Sequence, residues 1–290
     1  MKYQQGFTLI ELAIVLVIVT ILVGGLAMPL SAQIEARRIS ETRKTIEEAK
    51  EAIIGYAMSH TTNQCTCDYT AGGVYAGGCP QTLCLAKLGA VTTSGTAQLT
   101  LQPRHYLPCP DVNIDLDTTM DNDGDGLASD ANNGREDRNA AGDCSASTGN
   151  LPWVTLATAD QDAWGNRLYY ALSSPYGNLV TGFINTNDGD KQICSSSVSP
   201  GCTTGLIATQ VPVVLISYGP NGWGARNVNN SSLATPTSAD ELENTDADLI
   251  YVSRSPSKAD AAAGEFDDLV AWISKSVLIS RVCPTPGGCP

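Results

Sequence analysis

The chain has 290 residues, 42% of them hydrophobic, and a formal net charge of −13. That length allows one large domain or two small ones beyond any terminal segment. The acidic balance weighs against nonspecific nucleic-acid binding, which needs Lys and Arg to displace counterions; acidic clusters suit cations instead.

Taken in chain order, the first element is an apolar run. From Phe7 to Leu30 there are 24 residues, and Glu11 is the only charged one. As a helix at about 1.5 Å per residue this run spans the hydrocarbon of a bilayer. A carboxylate inside such a span is costly, by roughly 2.5–3.5 kcal/mol for a central acidic residue, so it calls for a partner. A secretory signal is the competing reading, with Ala27 and Ser31 near a later cleavage site, but it leaves the placement of Glu11 unexplained. Gly24, Gly25 and Pro29 weaken helical hydrogen bonding and predict local loosening around 24–30. Ile34, Ile39, Ile46, Ala49, Ile53 and Ala57 then recur at amphipathic helix spacing, opposite a charged face on which Lys44 and Glu48 lie four apart. The helix is read as ending at His60, whose side chain suits its negative pole.

Residues 61–104, rich in Gly, Thr and Cys, read as an irregular connection, and 105–150 as a long polar loop. Strands are expected at Arg167–Leu172, Val211–Tyr218 and Asp248–Ser253, with a fourth at Phe183-Ile184 ending in the turn Asn187-Asp188-Gly189. Residues 265–282 fit either a last strand or a short helix. The ten cysteines are an even number, and outside the cytoplasm they would form disulfides. Spacing suggests Cys194 with Cys202, Cys283 with Cys289, and Cys109 with Cys144, leaving Cys65, Cys67, Cys79 and Cys84 to pair among themselves; sequence alone does not fix this connectivity. Zinc competes for the last four, although they lack a CxxC knuckle and an intervening histidine.

Asp121-Asn122-Asp123-Gly124-Asp125-Gly126 follows the start of a calcium loop. Asp121, Asp123 and Asp125 would converge on one cation. Leu127 would offer a carbonyl, Ser129 a direct or water-mediated ligand, and Asp130 a substitute for the missing twelfth-position Glu. The alternative is a solvated acidic turn. Catalysis has little support: His60 and His105 are the only histidines, and no metalloprotease, nucleophile-elbow or phosphate-loop motif occurs. Asp267 and Asp268 are adjacent, so at least one is expected to face water. The chain is read as no enzyme.

Gly6-Phe7-Thr8-Leu9-Ile10-Glu11, with Lys2 before it and the apolar run after it, resembles the N-terminus of type IV pilin-like proteins, the prepilins and pseudopilins. The resemblance implies cleavage after Gly6 by a prepilin peptidase, methylation of Phe7, and pairing of Glu11 with an N-terminal amine in a filament. It implies an α+β, pilin-like fold: a long N-terminal helix on an antiparallel β-sheet head with long disulfide-held loops. The divisions are then a leader at 1–6, a transmembrane and filament-core helix at 7–30, its amphipathic continuation at 31–60, and a globular head at 61–290. Other pilin subunits and an inner-membrane assembly platform are the implied partners. The head would be periplasmic while the stem crosses the inner membrane once, and filament-borne, in the periplasm or at the cell surface, afterwards.

The order Asp162-Ala163-Trp164-Gly165-Asn166, then Ser217 to Gly222, then Glu243 to Ile250 is similar to the major pseudopilin of type II secretion. That likeness implies a calcium-stabilised β-loop using Ser217, Asn221, Asp246 and Asp248. Ala163 and Asn221 depart from the pattern. The large head and its cysteines favour a minor pilin or pseudopilin over a major pilin or a stem-borne adhesin. A signal-anchored periplasmic protein is the rival outside the family.

Overall fold

The computed structural model describes residues 8–62, 65–70, 74–75, 97–101, 103–112, 132–139, 142–197, 202, 205–283 and 289. For 23–30, 65–70, 74–75 and 97–101 it describes the backbone alone.

Helix α1 runs Leu9–Ser59. It is unbroken through 24–30, so the loosening expected at Gly24, Gly25 and Pro29 is absent from the subunit. A mid-helix proline costs about 3 kcal/mol. The flanking turns keep their own bonds, and once a helix is nucleated each added residue contributes one more. From residue 42 onward one face is buried: Thr42, Ile46, Ala49, Ile53 and Ala57 follow the helical repeat, and Ala49, Ile53 and Ala57 are completely covered. The Lys44–Glu48 pair forms at 3.3 Å on the opposite, exposed face. His60 closes the helix as expected: its backbone N–H donates to Tyr56 O at 3.0 Å and its ring stacks on Tyr56 at 3.9 Å.

The segment read as an irregular connection holds a small antiparallel sheet of β1 (Cys65–Thr70), β2 (Val74–Tyr75) and β3 (Ala97–Leu101), in the order β2-β1-β3. Its Thr, Tyr and Val residues are strand formers, hidden in composition by the neighbouring Gly and Cys. The polar 105–150 stretch ends in β4 (Thr148–Asn150), followed by a short helix α2 (Trp153–Leu156).

The central sheet joins β4 to β5 (Tyr169–Leu172), β8 (Val213–Ser217) and β10 (Leu269–Ile273), all antiparallel, in the order β10-β8-β5-β4. A third sheet contains β6 (Lys191–Cys194), β7 (Leu206–Val211) and β9 (Ile250–Val252), with β6 and β9 parallel. The head is therefore not purely antiparallel. The run 211–218 was expected to be one strand. It is two, because Pro212 sits at the corner between β7 and β8, where it has no N–H to give a ladder. Phe183-Ile184 is not a strand: Phe183 is held by its N–H on His105 O at 2.8 Å, and a turn closes from Asn187 N to Ile184 O at 3.0 Å. Residues 265–282 supply both options at once, β10 and then helix α4 (Lys275–Val282), which Ser274 caps. Between β8 and β9 lies one more short helix, α3 (Ala239–Glu243), capped by Ser238.

The two-residue alternation of β8 explains why the whole strand is buried. Val213 and Leu215 join Tyr170, Leu172 and Ile273 in the core against α1 and α4. Val214 and Ile216 join Ala171, Ile193, Val211 and Tyr251 in a second core on the other face. The central sheet is thus covered by helix on one side and by the third sheet on the other. The Cys109–Cys144, Cys194–Cys202 and Cys283–Cys289 bonds are all present, and no free cysteine occurs among the described residues. The pairing expected of Cys65, Cys67, Cys79 and Cys84 falls on side chains outside the description.

Candidate functional site

The start of α1 is capped by its own residues. Thr8 is extended at φ −76° and ψ 150°, and its Oγ accepts from Glu11 N at 3.3 Å. In return Glu11 Oε2 accepts from Thr8 N at 3.0 Å and from Thr8 Oγ at 2.9 Å. This is a capping box, which satisfies two donors the helix itself cannot. The carboxylate expected to pair between subunits therefore has a role within its own chain. Gly6 and Phe7 lie outside the described residues.

Beyond that cap the stem presents apolar side chains on every side. Between Leu9 and Leu22, eleven large hydrophobic residues are exposed, Leu9 at 93% and Ile21 at 68%. A helix that is apolar all round is one that becomes buried in something else, and the stem far exceeds the patch a lone soluble protein shows. Among the described residues no helix is long and apolar enough to cross a membrane, and the described side chains of this run stop at Leu22.

In the head, Asp162 forms a buried clasp. Its Oδ2 accepts from Ser217 Oγ at 2.7 Å, and its Oδ1 accepts from Trp164 N at 2.9 Å and Asn166 N at 3.0 Å. Ala163 N donates to Thr42 Oγ at 3.1 Å, which ties the same turn to α1. Ser217, expected near a cation, is thereby committed to this turn. Asp162→Ala would strand a hydroxyl and two backbone N–H groups in a buried place. We expect it to cost about 3 kcal/mol, read as a lowered urea midpoint with an unchanged m-value.

Among the described residues there are two acidic clusters, each with carboxylate oxygens within 4.8 Å of one another: Glu241, Asp267 and Asp268; and Glu243, Asp246 and Asp248. Asn221 belongs with the first cluster: its backbone N–H donates to Asp267 Oδ2 at 3.2 Å and its side-chain amide reaches Glu241 Oε1 at 3.5 Å. Asp246 and Asp248 belong with the second. They are exposed, and each accepts a bond from backbone two residues on, Asp246 Oδ1 from Asp248 N at 3.2 Å and Asp248 Oδ1 from Ile250 N at 2.6 Å. The candidate loop of Asp121, Asp123, Asp125, Leu127, Ser129 and Asp130 lies outside the described residues.

The first cluster is the more unusual, because it is buried. Glu241 is 1% exposed and Asp268 4% exposed. One of the two adjacent acids was expected to face water, but Asp268, at the head of β10, is buried, and Asp267 is only half-exposed, with its Oδ1 covered. Burial pushes the Asp267 carboxyl up to about 7, with Glu241, Glu265 and Glu35 adding repulsion. Burial also holds Asp268 well above the usual carboxylate range and raises Glu241. Glu241 went unnoticed in the sequence. Its one local sign is the spacing Ser238-x-x-Glu241, which marks a helix start, and the helix does begin there, with Glu241 N donating to Ser238 Oγ at 3.2 Å.

Residues 1–27 match a family model described as the prokaryotic N-terminal methylation motif. No curated protein and no solved structure matches the chain. The match covers the N-terminal segment alone and, together with the capped apolar stem, supports a type IV pilin-like N-terminus.

Proposed function

We propose that this chain is a minor pilin or pseudopilin, a structural subunit of a type IV pilus-like or type II secretion filament. The observation that carries this is the stem: a capped helix whose first half exposes eleven large apolar side chains between Leu9 and Leu22, while its second half packs into the core of the head. The methylation motif over residues 1–27 agrees with it. In this reading prepilin peptidase cuts after Gly6, Phe7 becomes the methylated N-terminus, and the stem crosses the inner membrane once until the assembly platform draws the subunit into the filament. The large head with its disulfides favours the minor role. Calcium is also proposed for the loop at 121–130, on its alternating aspartates alone.

Processing gives the cheapest test. N-terminal sequencing and intact mass of the mature protein should show a chain beginning at Phe7 and one methyl group heavier than its sequence. A product that retains residues 1–6, or starts after Ala27, would remove the basis of the proposal. Abundance in sheared filaments then separates a minor from a major subunit.

A further inference from the structure

A recess of about 140 Å³ lies beside the edge strand β4, on the face of the central sheet that carries the second core. Strands β4 and β5 supply Thr148, Asn150 and Tyr169 to it; the turn after β8 and the loop after α3 supply Tyr218, Arg226 and Thr245. Register accounts for the first three. Thr148 pairs with Ala171 and Asn150 with Tyr169, so these side chains share one face of the sheet. Gly224 shapes the other side. Its φ is +87°, and a Cβ there would collide with Thr245 Cγ2, so glycine is what lets the turn close on Thr245. A dry cavity of about 150 Å³ accepts benzene, so this recess holds a group of about six heavy atoms.

The unspent polar groups here are donors. Arg226 is half-buried and in no ion pair among the described residues. One terminal nitrogen makes long bonds, both 3.3 Å, to Asn230 O and Asn230 Oδ1; its Nε and its other terminal nitrogen donate to no described atom. Tyr169 OH is buried and unbonded, and the Thr148 and Tyr251 side chains approach it without the geometry of a bond. Leaving such a hydroxyl unpaired costs about 1–3 kcal/mol. Arg167 adds a second positive charge, but its guanidinium is committed to Asp160, Asn132 and Val228 O and stacks 3.8 Å over Trp153. Tyr218 OH is likewise spent, on Asn244 O at 3.0 Å. In a chain of net charge −13, no carboxylate among the described residues lines this recess. Asp246 and Asp248 stand close enough to Tyr169 to act on it from outside. They limit the negative charge the recess can take: one uncommitted guanidinium balances one anionic charge and not two.

We infer that this recess binds a small monocarboxylate that also carries hydroxyl groups, the chemistry of a sugar acid or a hydroxy acid. The Nε and the uncommitted terminal nitrogen of Arg226 form the planar fork that matches the two oxygens of a carboxylate. Tyr169 OH and the Thr148 hydroxyl can each donate or accept, which suits hydroxyls next to that carboxylate. The ligand would give Tyr169 OH the partner it lacks. The recess takes no residue from the stem, so it stands whether or not the chain forms filaments.

The test is calorimetric titration of the full chain in detergent with glucuronate, lactate, glucose and inorganic phosphate, beside Arg226→Gln and Tyr169→Phe. Wild type should bind glucuronate or lactate at one site per chain, and the tighter of the two tells a sugar acid from a hydroxy acid. Glucose and phosphate should bind at least tenfold more weakly. Arg226→Gln should lose at least tenfold in affinity, since a bond to a charged group contributes about 1.5–3 kcal/mol. Tyr169→Phe should weaken binding about fivefold or more, yet melt no lower than wild type without ligand, because it removes a hydroxyl that has no partner there. No binding of either carboxylate up to about 10 mM, ten times a Kd of about 1 mM, overturns the site. So does equal affinity in wild type and Arg226→Gln, or glucose or phosphate binding as tightly as the better carboxylate. If Arg226→Gln fails to fold, Tyr169→Phe decides, with weakened carboxylate binding as the supporting result and unchanged binding overturning it.

Discussion

Glu11→Gln is expected to leave cleavage after Gly6 intact and to cut filament yield at least tenfold. The structure makes this substitution more telling than alanine. Glu11 closes a capping box with Thr8, and glutamine can accept the same bonds from Thr8. It keeps the cap and loses only the charge. If Glu11 matters as a cap, Glu11→Gln should assemble normally and Glu11→Ala should not. If it matters as an anion for the amine of a neighbouring Phe7, the two variants should fail alike. Lipid tails are as apolar as leucine, so the stems gain little hydrophobic free energy by leaving a bilayer for each other. The carboxylate is different. It is disfavoured in lipid by up to about 3 kcal/mol and is stabilised beside a cation in a dry bundle. Each 1.4 kcal/mol of that difference is about tenfold in the equilibrium. Immunoblots of sheared filaments and of membranes measure both quantities. Wild-type filament yield from Glu11→Gln would show that the charge has no part in assembly.

What the sequence showed of this molecule depended on the range of each interaction. The stem was legible because its pattern is local: the apolar run with Glu11 and the helical repeat from Ile34 to Ala57 each lie within a few turns, although Ile34 itself stays exposed and the Thr8 cap went unread. The three described disulfides followed from spacing because they close short or single loops. Strand β8 was found but misjudged in extent, since nothing in an apolar run shows that Pro212 marks a change of sheet rather than a strand's start. The buried acidic cluster was the hardest to see. Glu241 and Asp267 are 26 residues apart and meet because α3 docks beside the head of β10. Asp246 and Asp248 drew attention by family likeness, yet they sit in exposed turns beside Glu243.

Arg138→Ala should be among the most destabilising single changes in the head, at about 3–5 kcal/mol. Arg138 is 8% exposed, and its guanidinium lies 5.1 Å over the Tyr106 ring. One terminal nitrogen donates to Gly177 O and to Gly142 O; the other donates to Leu107 O at 3.0 Å and Glu136 Oε2 at 2.9 Å. Glu136 in turn accepts from Tyr56 OH at 2.9 Å and from Cys109 N at 2.8 Å. One planar cation thus joins the loop around the Cys109–Cys144 bond to the end of α1. Alanine would leave the Leu107 and Gly177 carbonyls unpaired and Glu136 without its cation, while Gly142 O would keep its bond from Leu179 N. Lysine offers a point charge in place of a fork and cannot span these acceptors, so Arg138→Lys should recover less than half of the loss. Tyr56→Phe, which removes one bond to the same carboxylate, should cost only about 1–2 kcal/mol. The groups share one network, so the losses should not add: Arg138→Ala with Glu136→Gln should be milder than the sum of the two singles by more than about 1 kcal/mol. Urea unfolding followed by tryptophan fluorescence, with disulfides intact, gives all four values. A cost below about 1 kcal/mol for Arg138→Ala would mean that solvent or neighbouring side chains satisfy those acceptors, and that the disulfide alone holds the loop to the helix.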